Sequence, residues 1–504
     1  LLFEEDGIAV NMIAETPFDT VAACILRHAQ QRPEAPALAD DERELNYAEL
    51  DALMDRVAAA LQRDGIAPGE CIATCAAPSA MQAALFLGAL RAGVVVAPLA
   101  PGSTPAALAR MREDAQAKRL FADDDLARLD AWLAPPGARP TPVEIRPESP
   151  FNIIYSSGTT GEPKGIVQPH GMRWAHVKRG LPYGYGPQAV TLLATPLYSN
   201  TTLVVFFPSL AFGGAVVLMK KFDARRYLEI AQARRATHTM LVPVQYQRLM
   251  AVPDFEAFDL SAFRMKFCTS APFSAALKAD VLARWPGGLV EFYGMTEGGG
   301  TCILEAHAHP SKLHTVGRPA PGTDMRLIDE AGHELPVGST GEVVGHSPGM
   351  MVGYHRRPEA TREAEWFDAS GKRFIRTGDI GRFDEDGFLI LLDRRKDMII
   401  SGGFNIYPSD LEAALREHPA VAEAAVVGVP SAEWGETPVA FVVRREGHAD
   451  EAEALRQWLN ARVGKTQRLA ALHLVDELPR SAIGKVLKRE LRDLAQTPTS
   501  SRSR

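Results

Sequence analysis

VTLLATPLYSNTTLVVFFPSLAFGGAVVL, residues 190–218, is the stretch on which the fold turns. Residues 190–194, rich in apolar side chains, read as a buried strand, 202–211 as a helix and 215–218 as a second buried strand. A strand, a crossover of helical length and another strand imply parallel pairing. The alternation continues towards the C-terminus: a helix over 224–234, a strand over 239–242, a helix to Met250, a strand over 265–269, a helix over 274–285 and a strand over 290–293. Towards the N-terminus, Leu50, Leu53, Met54, Val57 and Leu61 share one helical face, with Asn46 and Glu49 spaced as a capping pair and Gly65 as terminator. An apolar run over 71–75, a helical stretch over 81–92 and a β-branched run over 94–96 follow. The expectation is an α/β protein whose large N-terminal domain holds mostly parallel sheets.

After about residue 320 the pattern becomes short strands and tight turns, with Asp386-Gly387 between 380–383 and 388–392. This reads as an antiparallel subdomain. Beyond Asp393, a helix over 409–416, strands over 423–427 and 439–443, a helix over 452–462 and a last helix over 485–494 make a smaller α+β domain. The expected domains are residues 12–395 and 396–495. A chain of 504 residues is long enough to need more than one core.

Composition narrows the function. A net charge of -7, from 55 basic and 62 acidic residues, offers no basic field for nucleic acid and favours small-molecule partners. Cys24, Cys71, Cys75, Cys268 and Cys302 fit neither a disulfide framework nor a zinc site, which points to a reducing compartment. No apolar run reaches about 18 residues, so no stable membrane insertion and a cytoplasmic location are expected. Residues 1–11 lack a signal-peptide pattern and read as an upstream remnant, and the Ser-rich end after Gln496 reads as loose.

Three segments carry chemistry. Following the apolar residues 151–154, Tyr155-Ser156-Ser157-Gly158-Thr159-Thr160-Gly161-Glu162-Pro163-Lys164-Gly165 offers four hydroxyls, close-approach glycines and one lysine, a cradle for polyphosphate oxygens. Its glycine spacing is not that of a Walker A loop, and by composition alone it also reads as a surface loop. Tyr293-Gly294-Met295-Thr296-Glu297 ends a strand, where open α/β sheets bind ligands: an aromatic face can cover adenine, a hydroxyl can reach phosphate, and a carboxylate can hold Mg²⁺. Arg376-Thr377-Gly378-Asp379 sets a carboxylate where it can accept ribose hydroxyls, although Gly-Asp is also ordinary turn chemistry.

With Asp393-Arg394-Arg395-Lys396-Asp397, Ser401-Gly402-Gly403-Phe404-Asn405 and Ser481-Ala482-Ile483-Gly484-Lys485, these motifs resemble, in order, those of the adenylate-forming superfamily of acyl-CoA synthetases, nonribosomal peptide adenylation domains and firefly luciferase. The resemblance implies an ATP-dependent, AMP-forming acid-thiol ligase of the fatty-acyl or aryl-CoA type. Its co-substrates would be ATP with Mg²⁺, a carboxylic acid and coenzyme A, with a homodimer as an allowed assembly. By the same resemblance Ser156, Ser157, Gly158, Thr159, Thr160 and Lys164 would hold the pyrophosphate end of ATP. Thr296 would take the α-phosphate, Glu297 and Thr160 the metal, and Tyr293 the adenine; Gly294, Ser270, Ala271 and Pro272 would border the nucleotide. Asp379 would bind the ribose with Arg394 beside it. Lys485 would reach the carboxylate and α-phosphate oxygens. Lys396 would be the hinge of a rotation that brings Gly402, Gly403 and Phe404 to a thiol tunnel, with Trp434 on the coenzyme A nucleotide.

Three departures bear on specificity. Ser199 stands where many relatives carry a histidine gating the acyl pocket. Thr269 stands where the pocket wall commonly has glycine, which favours a compact acid, whereas Gly298 and the two glycines after it would remove bulk. The usual Lys-x-Pro pattern near Gly464-Lys465 is absent. The alternatives are an adenylation enzyme that loads a carrier protein and a non-catalytic nucleotide sensor.

Overall fold

In the computed structural model, residues 12–156, 164–394, 397–401, 404–431, 434–464, 467–481 and 484–496 are described. Ser157, Gly158, Thr159, Thr160, Lys396, Gly402, Gly403 and Lys465 lie outside them, as do the side chains of Ser156, Arg394 and Phe404.

The nine-stranded sheet runs in the order Arg318–Pro319, Thr301–Glu305, Gly288–Gly294, Met265–Cys268, His238–Leu241, Val190–Leu193, Ala215–Leu218, Pro36–Ala39, Glu44–Asn46. The strands from Gly288–Gly294 through Pro36–Ala39 pair in parallel, and antiparallel strands close both edges. The crossovers read from residues 190–293 thus build one sheet, and the carboxyl ends of its strands deliver the 195–200, 269–272 and 294–297 segments.

A six-stranded sheet has the order Gly353–Tyr354, Lys164–Pro169, Pro150–Ser156, Val95–Pro98, Cys71–Cys75, Arg119–Ala122. Pro150–Ser156 and Lys164–Pro169 pair antiparallel with Ser156 opposite Lys164. The hydroxyl-rich segment therefore joins two strands of a hairpin, whereas a Walker A loop leads from a strand into a helix. Gly165 lies opposite Tyr155, and a Cβ there would sit 2.8 Å from Ile153 Cγ2. Helix Tyr47–Arg63 begins at the expected capping box, with Glu49 N–H donating to Asn46 Oδ1 at 2.8 Å and Asn46 N–H to Glu49 Oε2 at 2.9 Å. Its apolar face is buried against helix Ala80–Arg91, which is itself buried on all sides except at its final arginine.

The chain divides into two compact units: residues up to Met325 with Val344–Arg376, and Arg326–Val343 with the residues from Thr377 on. Strand Arg373–Phe383 runs across this division. Its first residues pair with Glu365–Phe367 in the first unit, and its later ones with Leu389–Arg394 in the second, where Asp379 lies opposite Arg394.

In the second unit, strands Val421–Ser431 and Gly435–Arg444 pair antiparallel and bury both faces. Ala424, Val426, Ala440 and Val442 face one cluster with Leu411, Leu415, Leu455 and Leu459; Ala425, Val427, Val439 and Phe441 face another with Leu491. This double burial explains why both strands read as continuous apolar runs.

Candidate active site

In the first unit, strand Gly288–Gly294 ends beside its antiparallel neighbour, with Tyr293 opposite Cys302 and Gly294 opposite Thr301. The chain then turns, and Gly298 N–H donates to Met295 C=O at 3.0 Å. This turn holds Glu297 almost fully buried, 9% exposed. Tyr354 Oη–H donates to Glu297 Oε1 at 2.8 Å, and Met351 N–H donates to the Glu297 carbonyl at 2.8 Å. Lys164 Nζ stands 5.1 Å from the centre of the Tyr354 ring, a cation–π contact. Burial, then the charge of Glu297 and the bond to it, push the Tyr354 phenol far above its usual range, so it remains a donor. The structure thereby brings Lys164 and Glu297, 133 positions apart, to one tyrosine, the lysine over its ring and the carboxylate at its hydroxyl.

Gly298 has φ +74°, and a Cβ there would lie 1.9 Å from the Gly349 carbonyl. At Gly299 and Gly300 an added Cβ would meet Ile375 at 2.3 Å and Met325 Sδ at 2.1 Å. These glycines admit a neighbouring backbone and side chains, so the space that the sequence suggested they would leave is filled.

Thr269 and Ser270 follow strand Met265–Cys268. Thr269 Oγ1–H donates to the Phe292 carbonyl at 2.7 Å, tying the expected pocket wall to the strand that carries Tyr293. Ser270 takes a left-handed φ of +84° and pairs through its hydroxyl with Thr201 Oγ1. A non-glycine residue in that conformation costs on the order of 1–3 kcal/mol and persists only where its surroundings hold it. Ala271 is half-buried and Pro272 exposed. Ser199 caps helix Asn200–Ala211, its Oγ accepting from Thr201 N–H at 3.3 Å, so the residue standing in place of the gating histidine is occupied in starting a helix.

In the second unit, Asp379 N–H donates to Thr377 Oγ1 at 3.0 Å, and Thr377 Oγ1–H to the Val343 carbonyl at 2.8 Å. Lys485 lies in a turn ahead of helix Lys488–Gln496 and not in its first turn as the sequence suggested. Its backbone N–H meets Ser481 Oγ at 3.2 Å, its carbonyl accepts from Ser481 N–H at 2.8 Å, and Gly484 takes φ +76°. Trp434 is 37% exposed, leaving much of its indole available for stacking.

Sequence reasoning missed Tyr354, Gln168, Arg173 and Asn200. The available signal was polarity out of place: Gln168 interrupts the strand Lys164–Pro169, and Arg173 is 1% exposed in helix His170–Arg179. Among the described residues no three His, Cys, Asp or Glu side chains gather as a metal cage. A single buried carboxylate beside a lysine instead suits Mg²⁺ that arrives on phosphates.

Residues 25–355 match the AMP-binding enzyme family and residues 410–485 match the AMP-binding enzyme C-terminal domain. The chain belongs to this family. It is 33% identical over 513 residues to an indoleacetate–CoA ligase of Aromatoleum aromaticum, covering 94% of this chain and 98% of that one. A feruloyl-CoA synthase of an Amycolatopsis species is 33% identical over 488 residues, at 93% and 97% coverage. A fatty acid–[acyl-carrier-protein] ligase of Streptomyces coeruleorubidus is 32% identical over 495 residues, at 92% and 94% coverage. Among solved structures, ATP-bound MatB from Rhodopseudomonas palustris superposes with TM-score 0.83 at 29% identity, covering 94% of this chain and 99% of that one. The architecture is that of the adenylate-forming enzymes, and the chain is an AMP-forming acid-thiol ligase.

Proposed function

We propose that the protein converts a compact carboxylic acid, small aliphatic or single-ring, to its acyl-CoA through an acyl-adenylate. The acid's carboxylate oxygen attacks the α-phosphorus of ATP, pyrophosphate leaves, and the thiol of coenzyme A then attacks the acyl carbonyl and releases AMP. The observation that carries this reading is the Lys164–Tyr354–Glu297 arrangement beside Thr296. It supplies a cation for the leaving phosphates and a fixed carboxylate for Mg²⁺, with Thr160 as a second metal contact. When bound, Mg²⁺ would offset charge building on the departing pyrophosphate.

The other roles follow the family's motifs. Ser156, Ser157, Gly158, Thr159 and Thr160 border the pyrophosphate; Tyr293, Gly294, Ser270, Ala271 and Pro272 the adenosine; Asp379 and Arg394 the ribose. Ser199, Thr269 and Gly298 flank the acyl group. Lys485 neutralises charge in adenylation from a C-terminal domain that turns at Lys396. Gly402, Gly403, Phe404 and Trp434 then receive coenzyme A. The five cysteines are all buried free thiols, which supports a reducing, cytoplasmic setting.

Pyrophosphate release across a panel of aliphatic and aromatic acids, with coenzyme A or a phosphopantetheinyl carrier protein as acceptor, tests this. A small acid and coenzyme A together should give the fastest turnover; fastest turnover with the carrier would favour a second reading, which the Streptomyces relative supports.

A further inference from the structure

Arg173 is a buried cation whose described partners are all neutral. Its Nε–H donates to Asn152 Oδ1 at 3.3 Å, Nη2 to Asn152 Oδ1 at 3.1 Å and to Gln168 Oε1, and Nη1 to Asn200 Oδ1 at 2.8 Å, with His176 Nδ1 at 3.4 Å. The faces of Phe151 and Phe207 lie 5.6 and 5.7 Å from its guanidinium carbon. Burial lowers its pKa to about 9, which leaves it charged at neutral pH. An arginine stripped of water for amide oxygens alone is costly to retain unless it fixes something.

What it fixes is the direction of one amide. A guanidinium has only donors, so the Gln168 group facing it must be the carbonyl oxygen, and the Gln168 N–H₂ must point the other way. There Nε2 donates to the Thr296 carbonyl at 2.7 Å and lies 3.4 Å from Asn200 Oδ1. Strand Gly288–Gly294 has ended by this point, so the Thr296 carbonyl is held by a side chain from Lys164–Pro169. Its neighbour, the Glu297 carbonyl, is held by Met351 N–H.

We propose that Gln168 is a positioning residue for adenylation: oriented by Arg173, it sets the backbone from which Thr296 and Glu297 meet the phosphates and metal. This rests on reading Thr296 as the α-phosphate contact.

Two variants separate positioning from support of the fold. Gln168→Leu removes the donor to Thr296 and also strips Arg173 of an acceptor. Gln168→Glu removes the same donor while giving Arg173 a carboxylate. Acid-dependent ATP–pyrophosphate exchange and thermal unfolding are measured for both. Both should lose kcat by about 10- to 100-fold with KM for ATP within about threefold of wild type, since small displacements in a reacting geometry act on kcat. Gln168→Leu, which also strips Arg173 of an acceptor, should melt several degrees lower than Gln168→Glu. Leu takes an acceptor from Arg173 and Glu sets a carboxylate beside it, so comparable kcat losses in both assign the effect to the N–H lost at Thr296 and not to Arg173.

Wild-type kcat in Gln168→Glu, kcat loss that simply follows melting temperature, or a Gln168→Glu protein that does not fold would each overturn the proposal. Wild-type protein without acid-dependent exchange would instead remove the adenylation reading, and this inference with it.

Discussion

Replacing Tyr354 with Phe deletes one oxygen and leaves the ring against which Lys164 rests. The lost bond is the 2.8 Å donation to Glu297 Oε1, made to a carboxylate that is 9% exposed. Hydrogen bonds to charged groups contribute about 1.5–3 kcal/mol, and a buried acceptor left unpaired costs about the same or more. At about 1.4 kcal/mol per tenfold, that is roughly 10- to 150-fold. Since Glu297 is read as the metal contact, the loss should fall on the Mg²⁺-dependent step. In Tyr354→Phe, kcat/KM for ATP in pyrophosphate exchange should drop by at least about tenfold, and the Mg²⁺ concentration for half-maximal rate should change. Thioester formation from supplied acyl-AMP should stay within about threefold of wild type, because pyrophosphate has already left. Tyr354→Ala, which also removes the Lys164 contact, should be worse in exchange. Wild-type metal dependence and exchange rate in Tyr354→Phe would refute the reasoning.

Lys485→Ala should lose adenylation by about 10²-fold or more, the typical worth of an electrostatic group in a closed site, yet still convert supplied acyl-AMP and coenzyme A to thioester; equal failure in both half-reactions would make Lys485 structural. Thr269→Ser keeps the hydroxyl that donates to Phe292 at 2.7 Å and removes one methyl, so the optimum of kcat/KM across straight-chain acids should move up by one carbon, each fitted methylene contributing about 0.8 kcal/mol or roughly fourfold. An unaltered chain-length profile would show that Thr269 does not close the pocket. Burial holds His28, His170 and His238 down at about 4, against 6.5 for an ordinary histidine. Their folded pKa values lie below the unfolded one, so this stability is complete above about pH 6.5 and is lost as pH falls towards 4, at up to about 3 kcal/mol each. Unfolding midpoints measured from pH 7.5 to 4 should fall through this window, and a flat profile would contradict the burial.

The fold was legible where local chemistry and periodicity agree. The Asn46–Glu49 capping box needs only four adjacent residues, and the strands at 190–193 and 215–218 announce themselves because burial of both faces leaves them almost wholly apolar, Thr191 excepted. The site was legible as motif segments and not as contacts. Nothing local tells Tyr354 that it will meet Glu297, or Gln168 that it will find a carbonyl 128 positions away. Gly298, Gly299 and Gly300 misled for the same reason: a missing side chain reads as room, and only the fold shows Gly349, Ile375 and Met325 filling it. At Lys485 the basic helical pattern extended too far, since Gly484 at positive φ holds the lysine in a turn before the helix starts.

The central claim is that the acid's own oxygen becomes bonded to the α-phosphorus of ATP. Turnover of an acid labelled with ¹⁸O in both carboxylate oxygens, with ATP and coenzyme A, followed by mass spectrometry of the nucleotide and phosphate products, tests it most directly. The account predicts one ¹⁸O in each AMP and none in pyrophosphate; label in pyrophosphate or inorganic phosphate, or unlabelled AMP alongside thioester, would contradict it.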